Sequence, residues 1–562
     1  MQKYLKENKF IILTIIILCG LMFFFINQKQ GFHEDEIFSY GSSNYKYDNV
    51  FRWFGYAEAN QDILYNQVLQ GNFIKRIDNL VKFIKDPNQF QKNEILAQEI
   101  PTFRTKDDAL DYLAIQQEDI FNYFSVYYNQ SRDVHPPLFY FLVHFTSTLF
   151  YNQFSKYIIF ALNLLFFIGT LITIKKIMDK LNHKELTIPT MILYGASMGA
   201  ISTVMFQRMY MMLTFFSLLY LYYIIKFIKD DFKIKDKFFF VLTIICGFLT
   251  QYYFCIYIVL IFLILAIYLL VNKQFKKCWN FFKPHILAAI IGILFYPFCI
   301  EDIFFSYRGI GSTDNKTNTF LENLQYYGEQ IINLFSLQNI FIILIAILII
   351  VLIYKIIKKQ LPKIQRQDKL NLTVIILPII IFIVIVSKIA PFLGENYTSR
   401  YIMLLFPIIA IASFYIISFI FNNKKTLFII TLVVSLCLSI NGLINSTPVY
   451  LYKDYGKVME LAQENADKYF VYVFDNYFTH LNSMPEFATY KESLILNKNI
   501  HDFKLLDNEK LNNENEFILC IKNWLNKEEI LNLVLENSGY NDYEVLLELN
   551  SDVESTYYRI TK

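Results

Sequence analysis

The sequence is short of what a disulfide-stapled, metal-templated or nucleotide-binding protein needs. Its seven cysteines, Cys19, Cys246, Cys255, Cys278, Cys299, Cys437 and Cys520, stand singly, and only Cys520 falls outside the membrane-rich part of the chain. That spacing excludes a disulfide framework and a CxxC metal site. Neither GxxxxGK[ST] nor GxGxxG occurs, so no glycine-rich loop is present to cradle a nucleotide's phosphates. Charge is equally sparing: 52 Lys and Arg against 49 Asp and Glu leave a formal net charge of +3, which gives nucleic-acid binding no support. His33 and His135 have acids nearby but no regular ligand spacing, so no metal constellation is read. A pair of carboxylates remains chemically able to hold a divalent cation.

What the chain has in abundance is apolar surface. A hydrophobic content of 55% and an aromatic content of 18% over 562 residues describe a polytopic membrane protein. From Phe10 to Ile26 the run is broken only by Thr14, and it would be about 25 Å long as a helix, close to the hydrocarbon thickness of a bilayer. Lys3, Lys6 and Lys9 precede it as in a signal peptide, but no small-residue cleavage site follows, so it reads as a retained first span. Further apolar runs fall near 136–151, 157–174, 187–207, 209–225, 238–250, 252–272, 285–300, 337–354, 371–391, 400–421 and 426–443.

Lysine placement sets the topology. If 136–151 does not cross the bilayer, the short loops place 21 positive residues with the N-terminus in the cytoplasm and six outside (Lys156, Arg208, Arg308, Lys316, Lys388, Arg400); the opposite parity inverts the ratio. The reading is therefore eleven spans, with the N-terminus cytoplasmic and the C-terminus outside. The 136–151 segment becomes a helix on or dipping into the outer leaflet, entered through Pro136-Pro137.

The expected fold class is thus an all-α polytopic membrane domain over 1–445, followed by a small extracytoplasmic α/β domain over 446–562. The outer loop 27–156 carries helical periodicity through Ile63, Leu64, Val68, Phe73, Ile77, Leu80, Val81 and Ile84, and again around Leu110, Leu113, Ile120, Phe121 and Phe124. These stretches predict juxtamembrane helices. Beyond Leu451, Tyr469–Phe474, Ser493–Leu496 and Glu516–Ile521 predict strands, alternating with helices near Thr479–Lys491 and Lys527–Leu535. Asp475, closing the first strand, reads as a turn former.

The same topology puts Asp35, Asp133, Arg208 and Arg400 on one face. Adjacent carboxylates near low dielectric repel, which raises the proton affinity of one of them and suits a general base or a cation site. Glu34, Asp35 and Glu36 meet that requirement, although three consecutive side chains cannot all point one way. Arg208, before Tyr210, and Arg400, before Tyr401, carry forked donors suited to phosphate oxygens; the alternative is an arginine snorkelling at a helix end. His135 lies between Asp133 and two prolines, placed either to donate to a phosphate or to cap a helix entry.

The order Asp35-Glu36, Asp133-x-His135-Pro136-Pro137-Leu138, Arg208-x-Tyr210 and Arg400-Tyr401 resembles the integral-membrane glycosyltransferases of the C-type fold, notably protein O-mannosyltransferases and bacterial aminoarabinose transferases, over about residues 1–445. The resemblance implies transfer of a sugar from a polyprenyl-phosphate carrier to an extracytoplasmic acceptor, and the expected mechanism is inverting transfer. It implies Asp35 as catalytic base and Glu36 as its partner, with Asp133, His135, Arg208, Tyr210, Arg400 and Tyr401 binding substrate. The sequence departs from the pattern at Leu213-Thr214, where mannosyltransferases carry an aspartate, and at Gln251-Tyr252-Tyr253, where many bacterial relatives carry a histidine. Both departures bear on sugar and acceptor. The alternative from another class is a transporter or flippase of lipid-linked sugars, or a non-catalytic membrane partner of cell-envelope assembly; broken spans and intramembrane charge pairs would favour transport.

Overall fold

A chain this apolar satisfies its backbone in lipid by running as helix, and the computed structural model shows that outcome. It describes residues 8–46, 73–85, 102–230, 232–304, 320–337, 349–358, 364–390, 398–474, 479–498, 500–550 and 553–562. Ile63, Leu64, Val68, Arg308, Lys316, Asp475 and most of the 337–354 run lie outside the described residues. The chain divides into two compact units. The first holds Met1–Ile26, Val134–Phe139 and Ile159–Val449; the second holds Asn27–Asp133, Tyr140–Ile158 and Tyr450–Lys562.

In the first unit's stretch of chain, eight described helices are long and apolar enough to cross a membrane: Lys9–Gln28, Lys156–Lys180, Tyr210–Lys229, Tyr253–Val271, Phe275–Phe295, Arg366–Ile389, Ser399–Ser418 and Lys424–Asn445. The span expected over 187–207 is not straight: Lys184–Gly195 and Met198–Met205 meet at a 60° bend. Ser197 at the break caps the second half, its hydroxyl accepting from the Ala200 amide. The 238–250 run forms Ile234–Phe248, a helix of 15 residues, about 22 Å long. Among the described residues eight helices, or nine with the bent pair, are long enough to span; of the other two expected spans, 238–250 is this shorter helix and 337–354 lies mostly outside the described residues. Leu138–Thr148 is a helix of 11 residues, about 16 Å, roughly half the hydrocarbon thickness, and so too short to cross alone.

Side chains on these helices sort by solvent. Phe10, Ile17, Ile267, Leu294 and Ile444 lie exposed on helix surfaces, where lipid is their solvent. Buried hydroxyls return to their own backbone instead: Thr170 donates to the Phe166 carbonyl, Thr203 to Gly199 and Thr214 to Tyr210.

The second unit is built on a six-stranded mixed sheet of order β1-β3-β2-β4-β6-β5, with β1 Thr102–Thr105, β2 Tyr469–Phe474, β3 Glu492–Asn497, β4 Glu516–Lys522, β5 Asp542–Leu549 and β6 Ser555–Thr561. β2 pairs in parallel with both β3 and β4, and the outer pairings are antiparallel. Val471 and Val473 face Ile530, Leu531 and Val534 of helix Lys527–Ser538, while Phe470 stacks on Tyr490 at 4.4 Å on the other face. Because both faces are covered, β2 is apolar throughout. The three strands expected from sequence are present. β1, however, comes from the outer loop, so the sheet draws on chain beyond the 446–562 stretch, and the division by contacts differs from a linear boundary at 445.

Candidate functional site

The acidic stretch opens a helix. Glu34–Asn44 starts at N-cap His33, whose ring Nδ1 accepts from the Asp35 amide at 3.0 Å. Glu36 reaches back to accept from the His33 amide at 2.7 Å, completing a capping box. Three carboxylates in the first turn also complement the positive end of the helix dipole.

The three acids then separate by environment. Glu36 is fully buried, and Lys29, also fully buried, donates to both its oxygens at 2.9 and 3.1 Å. Asp35 keeps 22% of its side chain exposed, with the His33 ring 3.7 Å from its carboxylate. Burial draws the Lys29 ammonium below its usual range, and Glu36 opposes that shift. Glu36, expected beside Asp35 as a catalytic partner, is instead committed to Lys29 and the helix cap. Asp133 is half-buried just past helix Tyr123–Ser131 in the same unit, its amide donating to the Gln130 carbonyl.

The basic residues belong to the first unit. Pro136 and Pro137 offer no amide hydrogen, so Leu138 is the first donor after His135, and it bonds the Leu249 carbonyl at 3.0 Å. Arg208 sits between helices Met198–Met205 and Tyr210–Lys229, nearly fully buried. Asn163 of helix Lys156–Lys180 donates to the Val204 and Phe206 carbonyls at 3.0 and 2.9 Å, closing the end of the preceding helix and fixing the approach to Arg208. An Arg208 guanidinium nitrogen stands 3.5 Å from His135 Nε2.

Arg400 lies in the 3-10 turn Thr398–Leu405 that leads into helix Phe406–Ser418. Its guanidinium lies 5.7 Å from the Phe206 ring and 5.8 Å from Tyr401. Phe206 stacks on Tyr210 at 5.4 Å, and Tyr401 contacts Tyr253 at 5.2 Å. The structure thus pairs His135 with Arg208 and links Arg400 to Tyr210 through Phe206 and to Tyr253 through Tyr401. Such an aromatic bed carrying guanidinium and imidazole donors suits an oxyanion with an apolar tail. Among the described residues, no group of three or more His, Cys, Asp or Glu is placed to hold a metal ion.

Sequence reasoning missed Lys29, Asn163, Phe206 and Tyr327, the last of which lies in electrostatic range of Arg400, Tyr401 and Tyr210. Asn163, a lone amide within an apolar run, was the readable signal.

Fold and site define the class as a multi-pass α-helical membrane protein carrying a mixed α/β domain. No protein-family model and no curated protein sequence matches the chain. Among solved structures it is similar to ArnT from Cupriavidus metallidurans bound to undecaprenyl phosphate, with a TM-score of 0.49 and 10% identity over 98% of each chain. It is also similar to ArnT from the same organism in the apo state, with a TM-score of 0.41 and 11% identity over 75% of this chain and 87% of that one.

Proposed function

We propose that this protein is a membrane glycosyltransferase that moves a sugar from a polyprenyl-phosphate carrier to an acceptor outside the cytoplasm, with the N-terminus cytoplasmic and residues 446–562 extracytoplasmic. The observation that carries the reading is the donor set in the membrane-spanning unit: buried Arg208 against His135, and buried Arg400 on Phe206 and Tyr401. The motif order set out from the sequence supports it independently.

Asp35 is the base. It takes the proton from the acceptor hydroxyl or amine as the oxygen or nitrogen attacks the anomeric carbon. The bond from that carbon to the phosphate oxygen breaks, its electron pair leaves with polyprenyl phosphate, and the anomeric configuration inverts. Arg208 and Arg400 stabilise the charge that develops on the leaving phosphate, aided by His135, because fixed donors in a water-poor site need no reorganisation. Asp133, Tyr210 and Tyr401 contribute to holding carrier and acceptor. Glu36 holds the helix that carries the base. A divalent cation is given no part in this step.

The 60° break between Gly195 and Met198 favours the second reading, transport of a lipid-linked sugar. Reconstitution separates the two. On the transferase reading, purified protein in detergent consumes a polyprenyl-phosphate sugar, releases polyprenyl phosphate and ignores nucleotide sugars. Turnover of a nucleotide sugar without carrier lipid, or movement of carrier across vesicles without sugar release, would contradict it.

A further inference from the structure

Lys29 binds more than Glu36. Its third donor goes to the Tyr450 carbonyl at 2.6 Å, and its own carbonyl accepts from Lys156. One residue on, the Gln30 amide donates to the Leu451 carbonyl at 2.8 Å. Gly31 lies so close to the same segment that an added Cβ would meet Tyr455 Cβ at 2.8 Å and Tyr452 Cβ at 2.9 Å. Residues 29–31 are therefore laced to 450–455, the stretch that opens the C-terminal domain.

The receiving side is strained. Tyr450 and Tyr452 have φ of 71° and 48°, left-handed values that residues with a β-carbon adopt at a cost. Such strain persists only where surrounding contacts over-determine it, and here the Tyr450 carbonyl is one of the acceptors of the buried ammonium. The bonds then run from the 450–452 turn through Lys29 to Glu36, and through Glu36 to the His33 amide and the first turn of helix Glu34–Asn44. Asp35 is in that turn.

We propose that Lys29 is a positioning residue for Asp35. Through Glu36 it fixes the turn from which the Asp35 carboxylate projects, and through the Tyr450 carbonyl it makes the entry to the C-terminal domain part of the machinery that aims the base. The inference rests on the assignment of Asp35 above. It goes beyond that assignment by giving Glu36 a mechanical part, Lys29 a functional one and the C-terminal domain a role in catalysis.

The test uses full-length protein in detergent carrying the pair Lys29→Met and Glu36→Gln, which removes both buried charges together and leaves neither stranded. The expected result is a melting temperature lower by no more than a few degrees, because the Tyr450 carbonyl loses its Lys29 donor, and an unchanged KM for polyprenyl-phosphate sugar, with kcat lower by about 10- to 100-fold, as for a misplaced catalytic group. A readout independent of activity places Asp35→Cys in a cysteine-free background and compares maleimide labelling rates with and without the pair change. The rate should shift several-fold once the turn loosens. Wild-type kcat together with an unchanged labelling rate would overturn the proposal. A shifted labelling rate in a protein that never transfers from polyprenyl-phosphate sugars would uphold the positioning and refute the transferase reading. Should the pair variant fail to fold, Glu36→Gln alone removes one of the two oxygens that Lys29 and the His33 amide share; kcat should still fall with KM constant, and full activity there would overturn the proposal.

Discussion

Asn163 offers a test of how the basic half of the site is built, at a residue proposed to touch no substrate. Its amide donates at 3.0 and 2.9 Å to the Val204 and Phe206 carbonyls, where helix Met198–Met205 ends and the chain turns toward Arg208. Asn163→Leu keeps the volume approximately and removes both donors. Each hydrogen bond contributes about 0.5–1.5 kcal/mol net, so the loss of both is about 2 kcal/mol. If half of that is expressed as displacement of Arg208, carrier affinity falls by about fivefold, since about 1.4 kcal/mol is tenfold. Thermal melting in detergent, alongside titration with polyprenyl phosphate, measures both quantities. Asn163→Asp is the control: it keeps the shape but offers the two carbonyls no donor when ionised, and should be at least as damaging. A leucine variant that melts and binds carrier like the wild type would refute the argument that these bonds place Arg208.

Gly41→Ala should gain up to about 1 kcal/mol of helix propensity, yet its new methyl would overlap the fully buried Tyr112 ring. Overpacking costs about 1–3 kcal/mol, so the variant should melt lower, with Tyr112→Leu recovering part of the loss. In the C-terminal domain, burial pushes His480 down to about 3 from an ordinary value of 6.5. The unfolded chain takes up that proton first, so stability falls as pH drops from about 6.5 toward 3. Glu486, raised by burial, acts oppositely, its contribution being present at low pH and lost as pH rises. His480→Gln should therefore flatten the loss of β2 amide protection between pH 6.5 and 4.5, and an unchanged profile would remove His480 as its source. For topology, single cysteines at Lys504 and Lys276 in a cysteine-free background should differ on intact cells, with impermeant maleimide labelling the former alone.

Much of the fold was legible because its signals are local. The Phe10–Ile26 run became Lys9–Gln28, and the aromatic and β-branched stretch Tyr469–Phe474 became β2 with the same bounds. What was not legible depends on distant partners. Thr102–Thr105 is four residues long and becomes a strand only through β3, nearly four hundred positions later. The break at Ala196-Ser197 lies inside a continuous apolar run, and only the Ser197 cap marks it. β5, Asp542–Leu549, is a charged and exposed edge strand, and β6, Ser555–Thr561, is largely buried between β4 and β5, so neither shows a clean alternation. At the site, the residue types at Asp35, Arg208 and Arg400 were readable as chemistry. That Glu36 would be committed to Lys29 was not, because the two stand seven positions apart and the chain between them must fold back to bring them together.

The central claim is most directly tested by Asp35→Asn in a single-turnover assay at saturating polyprenyl-phosphate sugar, with carrier affinity measured on the same preparation. Asparagine keeps size and hydrogen bonding but is no useful base at neutral pH. The account predicts a rate lower by about a hundredfold or more with carrier affinity nearly unchanged. Near wild-type turnover by the asparagine enzyme would contradict it.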